Sequence, residues 1–202
     1  MKGKFVRLPS PGVEQEETKA SIEDRALCSF KKTMLGGTFD HLHSGHKLLL
    51  TCALLLSKEQ IGIGVTTAEL LKKKSYNLFI EDFELRKERV ADFVATVAPK
   101  VKAELFSLEN PVGPAGTDEQ LEALILTREV EKGGVMVNEA REKNGLPPLH
   151  CYFVDMVLVE EGESQKFSNK TSSSYIRQYL AEKTNQNAEK LFSDWMELQD
   201  RI

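Results

Sequence analysis

The sequence predicts an α/β fold in which a five-stranded, mainly parallel sheet carries helices on both faces. Three observations predict it. β-Prone segments alternate with helical ones along most of the chain, two glycines end the first β-prone segment just before a helix, and the composition is that of a packed globular domain. Hydrophobic residues make up 41% of the 202 residues and charged residues 29%. That balance suits one buried core and excludes collagen-like, disordered and coiled-coil readings of the whole chain.

Residues 1–27 combine Pro9-Ser10-Pro11-Gly12 with a Glu-rich stretch and have no period, so they are read as a flexible N-terminal tail, with order beginning at Cys28. Strands are expected at Phe30–Leu35, Ile61–Val65, Val101–Phe106, Leu121–Thr127 and Cys151–Val159, where β-branched and apolar residues cluster between turn formers. Helices are expected at Ser44–Ser57, Glu84–Val97, Val135–Asn144, Ser173–Ala181 and Asn187–Leu198. Residues 28–184 then form one domain, and 185–202 a helix that packs on it through Leu191, Phe192, Trp195 and Leu198. The helix from Ser44 carries Leu48, Leu49, Leu50, Leu54, Leu55 and Leu56 with almost no polar face, which predicts a buried central helix. Its N-terminus would aim unpaired N–H groups beyond the first strand, where an anion can sit.

Charge and apolar runs narrow the function. Lys and Arg number 27 against 31 Asp and Glu, a net charge of −4, so no global basic field draws the protein to nucleic acid. The longest uncharged apolar run, Leu48–Leu56, is far short of the roughly 20 residues a bilayer span needs. Glu14, Glu16 and Glu17 spoil a transit peptide, which makes cytoplasm the expected compartment. Cys28, Cys52 and Cys151 are an odd set without CxxC spacing and read as reduced thiols.

The chemistry-bearing residues cluster after the first strand, in Gly36-Gly37-Thr38-Phe39-Asp40-His41-Leu42-His43-Ser44-Gly45-His46. Gly36 and Gly37 allow backbone amides to approach a ligand closely. His43 and His46 are three apart at the helix start, so both imidazoles can face the pocket of the helix N–H groups; taken singly, either one can equally be a polar residue that starts a helix. The pair suits phosphate better than metal, since only His41 and distant His150 could add imidazole ligands. A second group, Lys170-Thr171-Ser172-Ser173-Ser174-Tyr175-Ile176-Arg177, opens another helix with hydroxyls and free N–H groups, the pattern of an ordinary cap as well as of a polyphosphate site. Lys72-Lys73-Lys74 follows the second strand.

The segment GGTFDxLHxGH resembles the signature of the nucleotidyltransferases, which move a nucleotidyl group from ATP or CTP and share a Rossmann-like fold. The resemblance implies that Thr38, His43 and His46 contact nucleotide phosphates, with Gly36, Gly37 and Phe39 beside them. Lys170, Ser172, Ser173, Ser174 and Arg177 match the family's second signature in its pantetheine branch, which adds the three serines and Arg177 to the nucleotide site. A lysine after the second strand reaches the reacting phosphates in such enzymes; counting back from Arg86 gives Lys73, with Lys74 the fallback. Thr127-Arg128-Glu129, Gly133-Gly134, Asn138, Arg141 and Gly145-Leu146 look like the middle region of the eukaryotic and archaeal phosphopantetheine adenylyltransferases, with departures at Thr127 and Val130. By that likeness Arg128 joins the nucleotide site, and Asp40, Lys73, Lys74, Asn138 and Arg141 bind phosphopantetheine.

The resemblance, which covers roughly residues 30–180, implies adenylyl transfer from ATP to 4'-phosphopantetheine, giving 3'-dephospho-coenzyme A and pyrophosphate. His46, Thr38 and Lys73 would carry catalysis. Mg²⁺ is expected on the triphosphate, because magnesium keeps waters and needs few protein ligands; no protein metal site is expected. The partners are small molecules, with no nucleic acid or membrane, and the oligomeric state is monomer or dimer. No GxxxxGK[ST] loop occurs in the 202 residues, so a fused kinase is not expected. The alternatives are another transferase of the superfamily, acting on nicotinamide mononucleotide or using CTP, and a noncatalytic nucleotide-binding scaffold.

Overall fold

The computed structural model describes residues 30–154 and 172–199, with side chains to residue 187. The N-terminal tail, Cys28, Lys170, the expected strand beyond Val154 and the packing of Trp195 lie outside the described residues.

Five strands form one sheet: β1 (Phe30–Gly37), β2 (Ser57–Thr66), β3 (Lys102–Leu108), β4 (Ala123–Thr127) and β5 (His150–Val154). Their order is β3-β2-β1-β4-β5 and every pairing is parallel. Both faces are covered, as buried parallel strands require. On one face Leu35, Ile61, Ile63 and Val65 meet Leu50, Ala53 and Leu54 of α1 (Ser44–Leu56), with Val90 and Val94 of α3 (Phe83–Val97) in the same cluster. On the other, Met34, Leu124, Leu126 and Phe153 pack with Val137 of α4 (Glu131–Lys143).

All five strands fall where the sequence places them, with shifted ends. Helix α1 runs into β2 without a loop, because Ser57 ends the helix and is already extended. α1 is not buried all round: Leu48 and Leu55 are exposed, since the helix meets the sheet along one stripe and the opposite leucines have nothing to face. A four-residue helix α2 (Ala68–Leu71) after β2 was not legible in the sequence. The two expected C-terminal helices are one, α5 (Ser173–Gln199). Nothing between Ala181 and Asn187 breaks a helix, there being no proline or glycine in that stretch.

β1 is the switch point of the sheet. The chain leaves it first toward β2 and β3 on one side and later reaches β4 and β5 on the other, which opens a crevice beyond the carboxyl ends of β1 and β4.

Candidate active site

A cavity of about 620 Å³ occupies that crevice. Gly36 to Phe39 of the β1 end, Thr66 of β2 and Leu124 to Thr127 of β4 supply its floor. The first residues of α1 and α5 wall one end, with Lys74 beside them; α4 walls the other through Gly133, Met136 and Val137.

His43 and His46 are fixed by the start of α1 itself. His43 is the N-cap; its Nδ1 accepts from the Gly45 N–H at 3.1 Å, while the His43 N–H points back to His46 Nδ1 at 3.5 Å. This is a capping box built from two histidines. The rings stack with centroids 3.9 Å apart. Starting a helix and facing the pocket are therefore one arrangement. With both Nδ1 atoms accepting, each ring carries its proton on Nε2, which turns the pair into hydrogen-bond donors.

Burial pushes the His46 pKa down to about 4, and His43 and Lys74 push the same way against Asp40. His46 is thus a neutral donor at physiological pH. In the unfolded chain the same ring takes a proton near 6.5, so between that value and about 4 the unfolded state binds more protons. The contribution of this group to stability is whole above pH 6.5 and is lost as pH falls toward 4. We expect a ring-proton NMR titration to place the His46 midpoint near 4; a midpoint at 6 or above would contradict the burial.

The two signature segments are latched to each other by groups distant in sequence. Asp40, fully buried, accepts from Arg177 Nη1 at 2.6 Å and from the Glu81 N–H at 3.0 Å. Arg177, also buried, gives Nε to the Ser75 carbonyl at 3.1 Å and Nη2 to Ser174 Oγ at 3.1 Å. Ser173 Oγ donates to the Asp40 carbonyl at 2.8 Å. Ser172 caps α5, its Oγ accepting from the Tyr175 N–H at 3.3 Å. Asp40 is accordingly an anchor for Arg177 and not an open ligand group, whereas Thr38, the three serines and the edge of Arg177 border the cavity. Thr38 Oγ1 accepts from Thr66 Oγ1 at 3.3 Å, which leaves its own proton for a ligand.

Arg86 is the residue that sequence reasoning used only as a counting mark. It is buried and donates to the carbonyls of Thr38 at 2.7 Å, Thr66 at 3.0 Å and Glu81 at 2.8 Å, tying the ends of β1 and β2 to α3. Its signal was present: Arg86, Val90 and Val94 are four apart, so an arginine continues the buried stripe of α3. Phe39 and His41 adopt left-handed backbone with φ of 52° and 48°. The buried Phe39 ring lies against Gly37, where a Cβ would meet it at 3.1 Å.

Other expected residues stand elsewhere. Lys73 and Lys74 are both exposed, but only Lys74 borders the cavity. The Lys74 pKa is lowered, first by burial and then by Arg177 and Arg86, against Asp40. Arg128 lies outside the cavity wall with its guanidinium 5.9 Å from the Phe153 ring centroid. Asn138 binds both ways to Leu149, accepting from its N–H at 2.8 Å and donating to its carbonyl at 3.3 Å. Buried Arg141 donates to the carbonyls of Pro147, Ala115 and Asp118, all at 2.8 Å. Both hold loops together, while Arg141 Nη2 is buried without a hydrogen-bond partner.

Asp40, His41 and Glu81 form a compact acid–imidazole group, but Asp40 is spent on Arg177, His41 Nε2 lies 3.0 Å from the Phe79 carbonyl, and Glu81 binds Arg89 and the His41 N–H. Among the described residues no helix is long and apolar enough to cross a membrane.

The parallel sheet with a cavity at its switch point defines an open-sheet α/β protein, and residues 34–179 match the cytidylyltransferase-like family. The chain belongs to that family. Among curated proteins it is 36% identical over 151 residues to the phosphopantetheine adenylyltransferase of Saccharomyces cerevisiae, covering 75% of this chain and 49% of that protein. The Methanopyrus kandleri phosphopantetheine adenylyltransferase is 35% identical over 71% of this chain and 88% of its own length. An uncharacterized Schizosaccharomyces pombe protein is 37% identical over 76% and 49% of the two chains. The chain thus spans about half the length of its two fungal relatives. A crystal structure of an Archaeoglobus fulgidus protein of unknown function superposes with a TM-score of 0.56 at 28% identity, covering 65% of this chain and 94% of that one.

Proposed function

We propose that the protein transfers the adenylyl group of ATP to 4'-phosphopantetheine, giving 3'-dephospho-coenzyme A and pyrophosphate. The observation that carries this reading is the convergence of the helix starts of α1 and α5, the stacked His43–His46 pair, Thr38 and Lys74 on the cavity wall. The relatives named phosphopantetheine adenylyltransferase support the choice of substrates.

The chemistry needs little acid–base help. A phosphate monoester with a second pKa of about 6 is mostly a dianion at neutral pH. One of its oxygens bonds to the α-phosphorus while the bond to the bridging oxygen breaks, and pyrophosphate leaves with that electron pair. The protein has to hold two polyanions in line and offset the charge that builds on the α-phosphate and the leaving group. Lys74 and Arg177 bring positive charge to this part of the cavity wall, Arg177 while paired with Asp40. His46 and His43 donate through Nε2, Thr38 and the serines through hydroxyls, and the starts of α1 and α5 through backbone N–H groups.

Mg²⁺ fits as a group carried on the triphosphate, where it neutralises phosphate charge. Glu129 is the only carboxylate among the described residues bordering the cavity, which suits an ion that keeps its waters. The cytoplasm is the proposed compartment, in keeping with the partly buried Cys52 and Cys151 being free thiols.

The direct test incubates the protein with ATP, Mg²⁺ and phosphopantetheine and follows pyrophosphate and the mass of dephospho-coenzyme A. Product is expected with phosphopantetheine and none with nicotinamide mononucleotide; the reverse would move the protein to the other branch. Lys74→Ala is expected to lower kcat/KM for phosphopantetheine roughly tenfold or more, the scale of a lost charge-assisted contact, with Lys73→Ala near wild type. Equal activity of the two variants would remove Lys74 from the site.

A further inference from the structure

Residues 72–78, between α2 and α3, are all exposed, Leu78 to 92%. Packing therefore does little to place this turn, although it carries Lys74, which borders the cavity. Local bonds shape it: the Lys74 N–H donates to the Leu71 carbonyl, the Phe79 N–H to the Tyr76 carbonyl and the Ile80 N–H to the Asn77 carbonyl. Bonds of this kind set the curvature of a turn, not where it stands on the protein.

Bonds from the two signature segments supply the placement. Arg177 Nε donates to the Ser75 carbonyl at 3.1 Å, His41 Nε2 donates to the Phe79 carbonyl at 3.0 Å, and Asp40 Oδ1 accepts from the Glu81 N–H at 3.0 Å. The His41 N–H adds a bond to Glu81 Oε2 at 2.8 Å, and its Nδ1 lies 3.4 Å from Glu81 Oε1. The turn is also strained. Tyr76 has a φ of 54°, and the only other described non-glycine residues with positive φ are Phe39 and His41 of the first signature. Left-handed backbone at a tyrosine persists only where its surroundings hold it. Arg177 and Asp40 are buried in a pair that the fold needs, so their loss moves far more than the turn. His41 is the tie that can be cut by itself.

We infer that His41 is a positioning residue for Lys74: its Nε2 fixes the Phe79 end of the turn as Arg177 fixes the Ser75 end, and Lys74, next to Ser75, is thereby held on the cavity wall. This rests on the adenylyl-transfer reading for the substrate that Lys74 meets. Cutting the tie leaves the lysine on the chain, so the loss stays within that of removing the lysine itself. The net worth of one hydrogen bond corresponds to roughly two- to tenfold, which sets the size of the effect.

The test compares His41→Ala, which removes the donor, with His41→Gln, which keeps an N–H donor at the place of Nε2. Both lack the tolerance of histidine for left-handed backbone, so the difference between them reports the bond. In the full chain without ligand, amide hydrogen exchange across residues 72–81 is expected to speed up in His41→Ala and to stay near wild type in His41→Gln. The kcat/KM for phosphopantetheine should fall roughly two- to tenfold in His41→Ala and recover in His41→Gln. Added to Lys74→Ala, His41→Ala should cost nothing further, because the residue it places is gone. A merely structural residue would lower activity by the same factor in both backgrounds. Losses that multiply in the double variant would overturn the inference, as would wild-type activity in His41→Ala, equal effects of the two substitutions, or unchanged exchange in His41→Ala. A wild-type protein that makes no dephospho-coenzyme A would defeat the proposed reaction instead; exchange still reads the tie, and the same cycle is then run on the Kd for inorganic pyrophosphate.

Discussion

His46→Ala is expected to lower turnover by about 10² or more while the protein stays folded. The magnitude follows from what the ring does. A donor aimed at a developing oxyanion is worth roughly 2.7 to 4 kcal/mol, whereas a helix end contributes about 0.3 to 1. The side chain therefore outweighs the dipole of α1 that it sits on. Removing it costs little stability, because its bond to the His43 N–H is long at 3.5 Å and a lost cap is worth about 1 kcal/mol. Steady-state kinetics beside a denaturant titration separates the two effects. Turnover within a factor of a few of wild type would remove His46 from catalysis. The rate should also lack an ionisation near 6.5 from this ring, since its pKa is lowered to about 4.

The largest stability effect is expected at Arg177. Replacing it with Met leaves the fully buried Asp40 carboxylate with the Glu81 N–H but without its cation. Breaking one partner of a buried ion pair costs about 3 to 5 kcal/mol, a large share of the roughly 5 to 15 that holds a domain together. Arg177→Met should shift the urea midpoint accordingly, and Asp40→Asn combined with it should recover part of the loss by removing the stranded charge. Activity should not return with stability in the double variant, because the ties to Ser174 and the Ser75 carbonyl are still missing. Lysine is no substitute, since three bonds leave three different nitrogens of one planar fork. A single variant within about 1 kcal/mol of wild type would refute the latch.

Both predictions concern residues visible in the sequence, yet the sequence assigned their roles unequally well. His43 and His46 were legible because a helix start is local: spacing of three puts both rings on one turn, and their own backbone orients them. Asp40 and Arg177 stand 137 residues apart, and no period or propensity pairs them. Each looked like a group waiting for a ligand, when the stronger demand on each was to neutralise the other away from water. Asn138 and Arg141 likewise reach partners that no local period announces, the Leu149 N–H and the Ala115 and Asp118 carbonyls.

By itself the sequence determined the α/β class, the five strands and the histidine pair at the start of the helix after β1, all of which follow from periods of two and 3.6 and from residues within a turn of one another. Only the tertiary structure decided which lysine reaches the cavity, that Arg86 ties the strand ends together and that Arg177 latches Asp40. These depend on directions of side chains brought together by folding.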